Sequence, residues 1–327
     1  MVKSKSLITI LCFLTSHVAA QQVNDCKNIR QDHKRLACYD QLFADKSNST
    51  EKKALAREQS KEAQQTNTLV TQQRDKFLLL PHRQSYFMPV SYNSERREIN
   101  ELDQKFNGEL TAPPLDDVEV KFQLSFKMPV WHEPLGKNTQ LMAAYSQKSF
   151  WQMYNSEFSS LFRETNYEPE LFLTHQGNVD LFGWQLVNSK LGLVHQSNGR
   201  SNSFSRSWNR VYADFVFQKD NLTLSFKPWL RLSEESAKDD NPDIEDYLGR
   251  YEIGLLYQWR DSEFTAMVRN ISANKHQASY QLSWLYPINQ QFNFYLEYFH
   301  GYGESLIDYN HKSSTLGLGF TINSWLD

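Results

Sequence analysis

No stretch beyond the first twenty residues strings together the roughly 18 apolar residues a membrane helix needs, yet segment after segment alternates apolar and polar at every second position. Val118, Val120, Phe122, Leu124, Phe126 and Met128 alternate with Glu119, Lys121, Gln123, Ser125 and Lys127. So strict an alternation specifies a strand with one greasy and one wet face. The pattern recurs at 210–217, 222–227, 251–260, 263–269, 279–286, 291–298 and 316–322. These strands run about ten residues or more, the length a tilted membrane strand requires. Lipid cannot satisfy an open sheet edge, so a membrane sheet must close into a barrel. A soluble sandwich or lipocalin-like barrel predicts shorter strands with their apolar residues inward. Here Glu, Lys and Arg stand in mid-strand on the wet faces, and Tyr and Trp gather near strand ends, as in the aromatic girdles of membrane barrels. Composition splits on this point: a mean hydropathy of −0.63 describes a soluble chain, whereas an aromatic content of 14% is high.

The fold expected is all-β: a twelve-stranded antiparallel transmembrane β-barrel with a short helical, disulfide-stapled N-terminal extension. The strands are expected at about 84–93, 118–128, 139–153, 167–177, 180–197, 207–218, 221–232, 249–260, 262–271, 276–287, 291–303 and 313–323. Twelve strands enclose a narrow interior that the inward charges fill, which argues against a wide pore. On strand 180–197 the apolar parity is Phe182, Trp184, Leu186 and then Leu191, Leu193. A β-bulge near Asn188 to Lys190 accounts for the flip, and bulges often re-aim side chains beside active sites.

Residues 1–20 read as a secretory signal: Lys3 and Lys5, a short apolar core, and Ala19 and Ala20 at a small-residue cleavage site. Residues 21–80 form a polar periplasmic extension, and 81–327 the barrel domain. In an exported chain Cys26 and Cys38 are expected to pair rather than stay as free thiols. The polar run 47–75 reads as a solvated linker. A net charge of −3 gives no basic field for nucleic acid.

Leu191, Leu193, His195 and Ser197 share one face of a strand, the lipid-facing one. By parity Asn209, at the start of the next strand, faces the same way. A serine hydroxyl becomes a nucleophile when a base takes its proton, histidine can be that base, and an Asn carbonyl can hold the imidazole in the right tautomer. The same residues also suit a girdle histidine beside a loop serine, and spacing alone does not choose between the two. His175 and His300 read as girdle or loop residues.

The run His195-Gln-Ser-Asn-Gly-Arg-Ser201 followed by Ser205-Arg-Ser-Trp-Asn-Arg210 resembles the signature of the bacterial outer-membrane phospholipase A family. So do Gln147 to Trp151, Ser159 to Pro169, the Lys227-Pro-Trp229 step and Asp239 to Asp243, and the resemblance covers about residues 84 to 323. It implies a calcium-dependent enzyme, active as a homodimer in the outer membrane, that hydrolyses the acyl esters of phospholipids arriving from the outer leaflet. It implies Ser197 as nucleophile, His195 as general base and Asn209 as the residue orienting the histidine. The Gly199 N–H, with a calcium-bound water, would form the oxyanion hole. Arg200 would give calcium a backbone carbonyl and Ser205 an oxygen, with Ser159 of the partner subunit completing the interface site. Asp240 matches an acidic calcium ligand of the monomer, and Gln147 a residue of the membrane-embedded dimer interface. An all-oxygen set suits calcium. The chain departs from the family at Asn202, where Asp is frequent, and in a longer segment between Leu230 and Lys238.

Two rival classes remain. A non-enzymatic barrel (a porin or an adhesin) needs a roomy lumen and long outer loops. A different esterase on the same wall, such as a lipid A deacylase, differs in its substrate profile.

Overall fold

The structure, a computed structural model, describes residues 26–40, 78–97, 115–156, 161–235, 239–271 and 277–322. The expected signal, the linker 47–75 and Ser159 lie outside these residues. The chain divides into two compact units, 1–76 and 77–327. In the first, 32–40 is helical and Cys26 and Cys38 are joined by a disulfide, with Cα atoms 5.7 Å apart.

The second unit is a closed antiparallel barrel. Its strands are β1 (Leu80–Pro81), β2 (Tyr86–Asn93), β3 (Val118–His132), β4 (Thr139–Trp151), β5 (Phe162–Leu181), β6 (Trp184–Ser197), β7 (Ser207–Lys219), β8 (Leu222–Leu232), β9 (Tyr251–Trp259), β10 (Ser262–Arg269), β11 (Ser279–Pro287), β12 (Asn293–Tyr302) and β13 (Lys312–Thr321). From β2 to β13 each strand pairs with its neighbour in sequence, and β13 returns to pair with β2, Leu316 opposite Tyr92. That makes the twelve long strands an up-and-down ring without a free edge. β1 is a two-residue extra that pairs with β3. The alternation does not announce it, nor the single turn of helix at Ile244–Leu248.

Side-chain placement follows the sequence parity. On β7, Trp208, Arg210, Tyr212 and Asp214 are buried inside, while Asn209, Val211 and Ala213 face out. The lumen is filled rather than open. Lys121 Nζ sits 2.7 Å from Glu297 and 2.8 Å from Glu304, Arg163 reaches Glu119 at 2.8 Å, and Arg83 reaches both Glu168 and Glu170 at 2.6 Å. The space left is a polar cavity of about 570 Å³ lined by Lys127, Glu170, Lys190 and Lys227 among others. A conducting pore would have to break those pairs, so the porin alternative finds no support in the lumen.

The two ends of the barrel differ. At one end β5–β6, β7–β8 and β9–β10 are joined by two-residue turns that begin at Phe182, Asp220 and Arg260, each with positive φ near 55°, the geometry a tight hairpin selects. The longer connections, including 198–206, 233–250 and 303–311, cluster at the other end. In outer-membrane barrels short turns are periplasmic and long connections external, so Ser197, the last residue of β6, stands at the external end.

The bulge on β6 is real but lies at Val187, between the partners Leu186–Phe217 and Asn188–Val216. It is on the short-turn half of the strand, away from Ser197. Its role is to reset parity so that both halves of β6 turn their apolar side to lipid, and it does not aim a catalytic group.

Candidate active site

β6 and β7 bring the three residues together by register. His195 stands directly opposite Asn209, and Ser197 opposite Ser207. Facing cross-strand side chains lie within interaction range by the geometry of the sheet. His195 donates from Nδ1 to Asn209 Oδ1 at 2.8 Å. With that nitrogen occupied, Nε2 is the ring nitrogen available to the Ser197 hydroxyl on the same outer face.

The wall behind these residues is tightly held. Gln196, the inward residue between His195 and Ser197, accepts through Oε1 from Trp208 Nε1 at 2.8 Å and from Arg210 Nη2 at 3.1 Å. The Arg210 guanidinium lies over the Trp208 ring at 3.9 Å and reaches Glu168 of β5 at 3.4 Å. Trp208 is fully buried and packs with Tyr212, Trp229, Ile244, Leu248 and Leu306. The connection 303–311 thus folds back into the barrel mouth and fills the core under the site. Sequence reasoning did not single out Gln196. Its signal was a polar residue at an inward position beside Trp208 and Arg210.

After Ser197 the chain turns through a short 3-10 helix, Asn202–Phe204. The buried Asn198 stitches this loop shut. Its Oδ1 accepts from the Arg200 and Arg206 amides at 3.3 and 3.0 Å, and its Nδ2 donates to the Phe204 carbonyl at 2.8 Å. Gly199 has φ +65°, and a Cβ there would stand 2.9 Å from the Tyr167 ring. The position therefore needs glycine for conformation and for space. Arg200 bonds the Phe162 and Arg163 carbonyls and pairs with Glu164 at 3.2 Å, tying the loop to β5.

Ser205 Oγ donates to Asp240 Oδ2 at 2.6 Å, so two of the expected calcium ligands are adjacent though 35 residues apart. Asp240 is held by its neighbours: Asp239 accepts from Arg231 at 2.6 Å, and Asn241 Oδ1 accepts from the Ser207 amide at 2.9 Å. Among the described residues no group of three or more His, Cys, Asp or Glu side chains forms a metal cluster. The oxygens expected to hold calcium are of other kinds, the Arg200 carbonyl and Ser205 hydroxyl for the interface site and the Asp240 carboxylate for the monomer, all hard donors of the sort calcium takes. Ser159 and the Asn202 side chain lie outside the described part of the site.

On the lipid-facing side of β4, Gln147 lies in a polar ladder. Tyr145 Oη donates to Gln147 Oε1 at 3.0 Å, Gln147 Nε2 donates to Ser149 Oγ at 3.3 Å, and Ser149 lies 3.3 Å from Thr165 Oγ1 of β5. His175 and His300 take no part in the site.

The family profile described as Phospholipase A1 matches residues 60–322. Phospholipase A1 of Klebsiella pneumoniae is 39% identical over 248 residues, 76% of this chain and 83% of that protein. Phospholipase A1 of Escherichia coli is 43% identical over 205 residues, 63% and 70% of the two chains. Among solved structures, outer membrane phospholipase A from Escherichia coli superposes with a TM-score of 0.68 at 38% identity, covering 76% of this chain and 99% of that one. The Salmonella typhi outer membrane phospholipase, a dimer with bound calcium, gives 0.69 at 36% identity, covering 77% and 95%.

Proposed function

Since the chain belongs to the phospholipase A1 family, and is thus a phospholipase of the bacterial outer membrane, we propose that it hydrolyses acyl esters of phospholipids through Ser197, His195 and Asn209. The single observation that carries this reading is the 2.8 Å His195–Asn209 hydrogen bond on the outer face of the wall, two residues from Ser197. His195 Nε2 takes the hydroxyl proton as Ser197 Oγ attacks the ester carbonyl. The Gly199 N–H donates to the oxygen on which negative charge develops. As the tetrahedral intermediate collapses, His195 passes its proton to the leaving alcohol oxygen and a lysophospholipid departs. A water molecule, deprotonated in turn by His195, attacks the acyl-serine and releases the fatty acid. Because all three residues face lipid at the external end, substrate arrives sideways from the outer leaflet.

Calcium held by the Arg200 carbonyl and Ser205, with Ser159 of the partner subunit, would supply positive charge beside the developing oxyanion, and Asp240 would hold calcium in the monomer. The dimer reading is supported by the Gln147 ladder. Even with its amide bonded to Tyr145 and Ser149, Gln147 makes the lipid-facing wall of β4 unusually polar, and a second copy of the same strand would cover that strip from hydrocarbon. The calcium-bound dimeric relative agrees with both points.

The direct test is Ser197→Ala in the full chain, assayed with phospholipid–detergent micelles in calcium. Turnover is expected to fall by at least about 10³-fold with the barrel still folded. Retained hydrolysis would sink the mechanism.

A further inference from the structure

A side-chain amide can present either end, and only one end of Asn209 serves the histidine. Its Oδ1 accepts from His195 while its Nδ2 donates to Glu234 Oε1 at 3.0 Å. Glu234 lies two residues beyond β8, which pairs with β7 so that Leu232 is opposite Asn209. An ionised carboxylate is an acceptor only. It therefore selects the NH₂ end of the amide and leaves the oxygen for the imidazole. The imidazole proton is then fixed on Nδ1, and Nε2 stays bare to receive the proton of Ser197. Asn209 brings no charge of its own to the imidazolium formed in that transfer, whereas Glu234 stands one residue behind it with a negative charge. Among the described residues, Tyr167 of β5 is the ionisable group on the outer face beside His195, and Glu234, on Asn209, and Glu235 follow β8. β7 offers Asn209 and Val211, neither ionisable, while Glu168 and Arg210 lie on the inner face.

We propose that Glu234 is a positioning residue of this site: it locks the Asn209 amide with its oxygen toward His195 and favours the charged imidazole formed when Ser197 loses its proton. Glu234 exchanges no proton in the reaction. The inference rests on the Ser197–His195–Asn209 reading above.

The test uses the full chain in phospholipid–detergent micelles at saturating calcium, comparing Glu234→Gln, Glu234→Ala and Glu234→Asp across pH. Glu234→Gln is expected to lower kcat about three- to tenfold with little change in KM, and to move the acidic limb of the profile down by about half a unit. The sign follows from charge: a nearby anion favours protonated His195, so removing it lets the base form persist to lower pH. Glu234→Ala should lose more, and Glu234→Asp should recover most of the activity and the limb. An unmoved limb would overturn the proposal. So would an equal loss in all three variants with lowered thermal stability, or a rise in the calcium needed for half-maximal activity. A Ser197→Ala variant that is dead beside an unmoved Glu234→Gln limb removes Glu234 alone; an active Ser197→Ala removes the underlying reading.

Discussion

Gly199 is the residue whose replacement is simplest to forecast. Its left-handed φ of +65° costs a residue with a Cβ about 1–2 kcal/mol, and the new methyl would press on Tyr167 at 2.9 Å. Relief requires the loop to move, and with it the N–H that the proposed mechanism aims at the oxyanion. Gly199→Ala should therefore lower kcat by about tenfold or more while the melting temperature changes little, since the barrel ladder is untouched. Unchanged kcat would show that this amide does not serve the reaction. Gln196 makes a related point from inside the wall: its carbonyl oxygen collects Trp208 and Arg210, which holds the strand between His195 and Ser197 in register.

At the scale of elements, the connection 303–311 is a plug rather than a surface loop. Leu306, Ile307 and Tyr309 are buried, and Asp308 pairs with Arg163 of β5 at 2.7 Å while accepting from Ser305 at 2.9 Å. Burial pushes the Asp308 carboxyl up, but Arg163, Arg97 and the Ser305 hydroxyl outweigh it and hold the group below the usual aspartate range. A depressed folded-state value contributes stability above the unfolded value, and that contribution is lost as pH falls through the folded one. Asp308→Asn should destabilise the barrel by about 1 kcal/mol or more at pH 7, and the gap should narrow below about pH 4. Urea unfolding of both proteins at pH 7 and pH 3 checks this; a constant gap would mean the carboxylate charge is not what holds the plug.

For the whole molecule, the strand ring and the proposed calcium ligands are separable. Every ladder bond of β2 to β13 is internal to the chain, whereas Ser205 and Asp240 sit on connections outside the ladder. Chelating calcium should abolish hydrolysis and leave thermal unfolding of the barrel shifted by only a few degrees. Dimerisation should matter in the same assay. Covalently cross-linked dimers should turn over phospholipid faster than isolated monomers at equal calcium, and equal rates would remove the gating role assigned to the partner's Ser159.

The number of long strands and the inward or outward sense of most of their residues were legible in the sequence, because a two-residue period and a lipid solvent leave one closed arrangement, and the Cys26–Cys38 pairing was legible because an exported chain meets an oxidising compartment. The pairing of His195 with Asn209 followed from parity and a short connection. Other features needed the tertiary structure. The bulge sits at Val187 because inter-strand register, which parity only brackets, decides which residue is left over. Asp240 meets Ser205, and Glu234 meets Asn209, through connections with no periodicity to read. The plug 303–311 is invisible for the same reason: its burial depends on a space that exists only once twelve strands have closed around it. Local alternation can say which way a side chain points; it takes closure of the ring to say what that side chain meets.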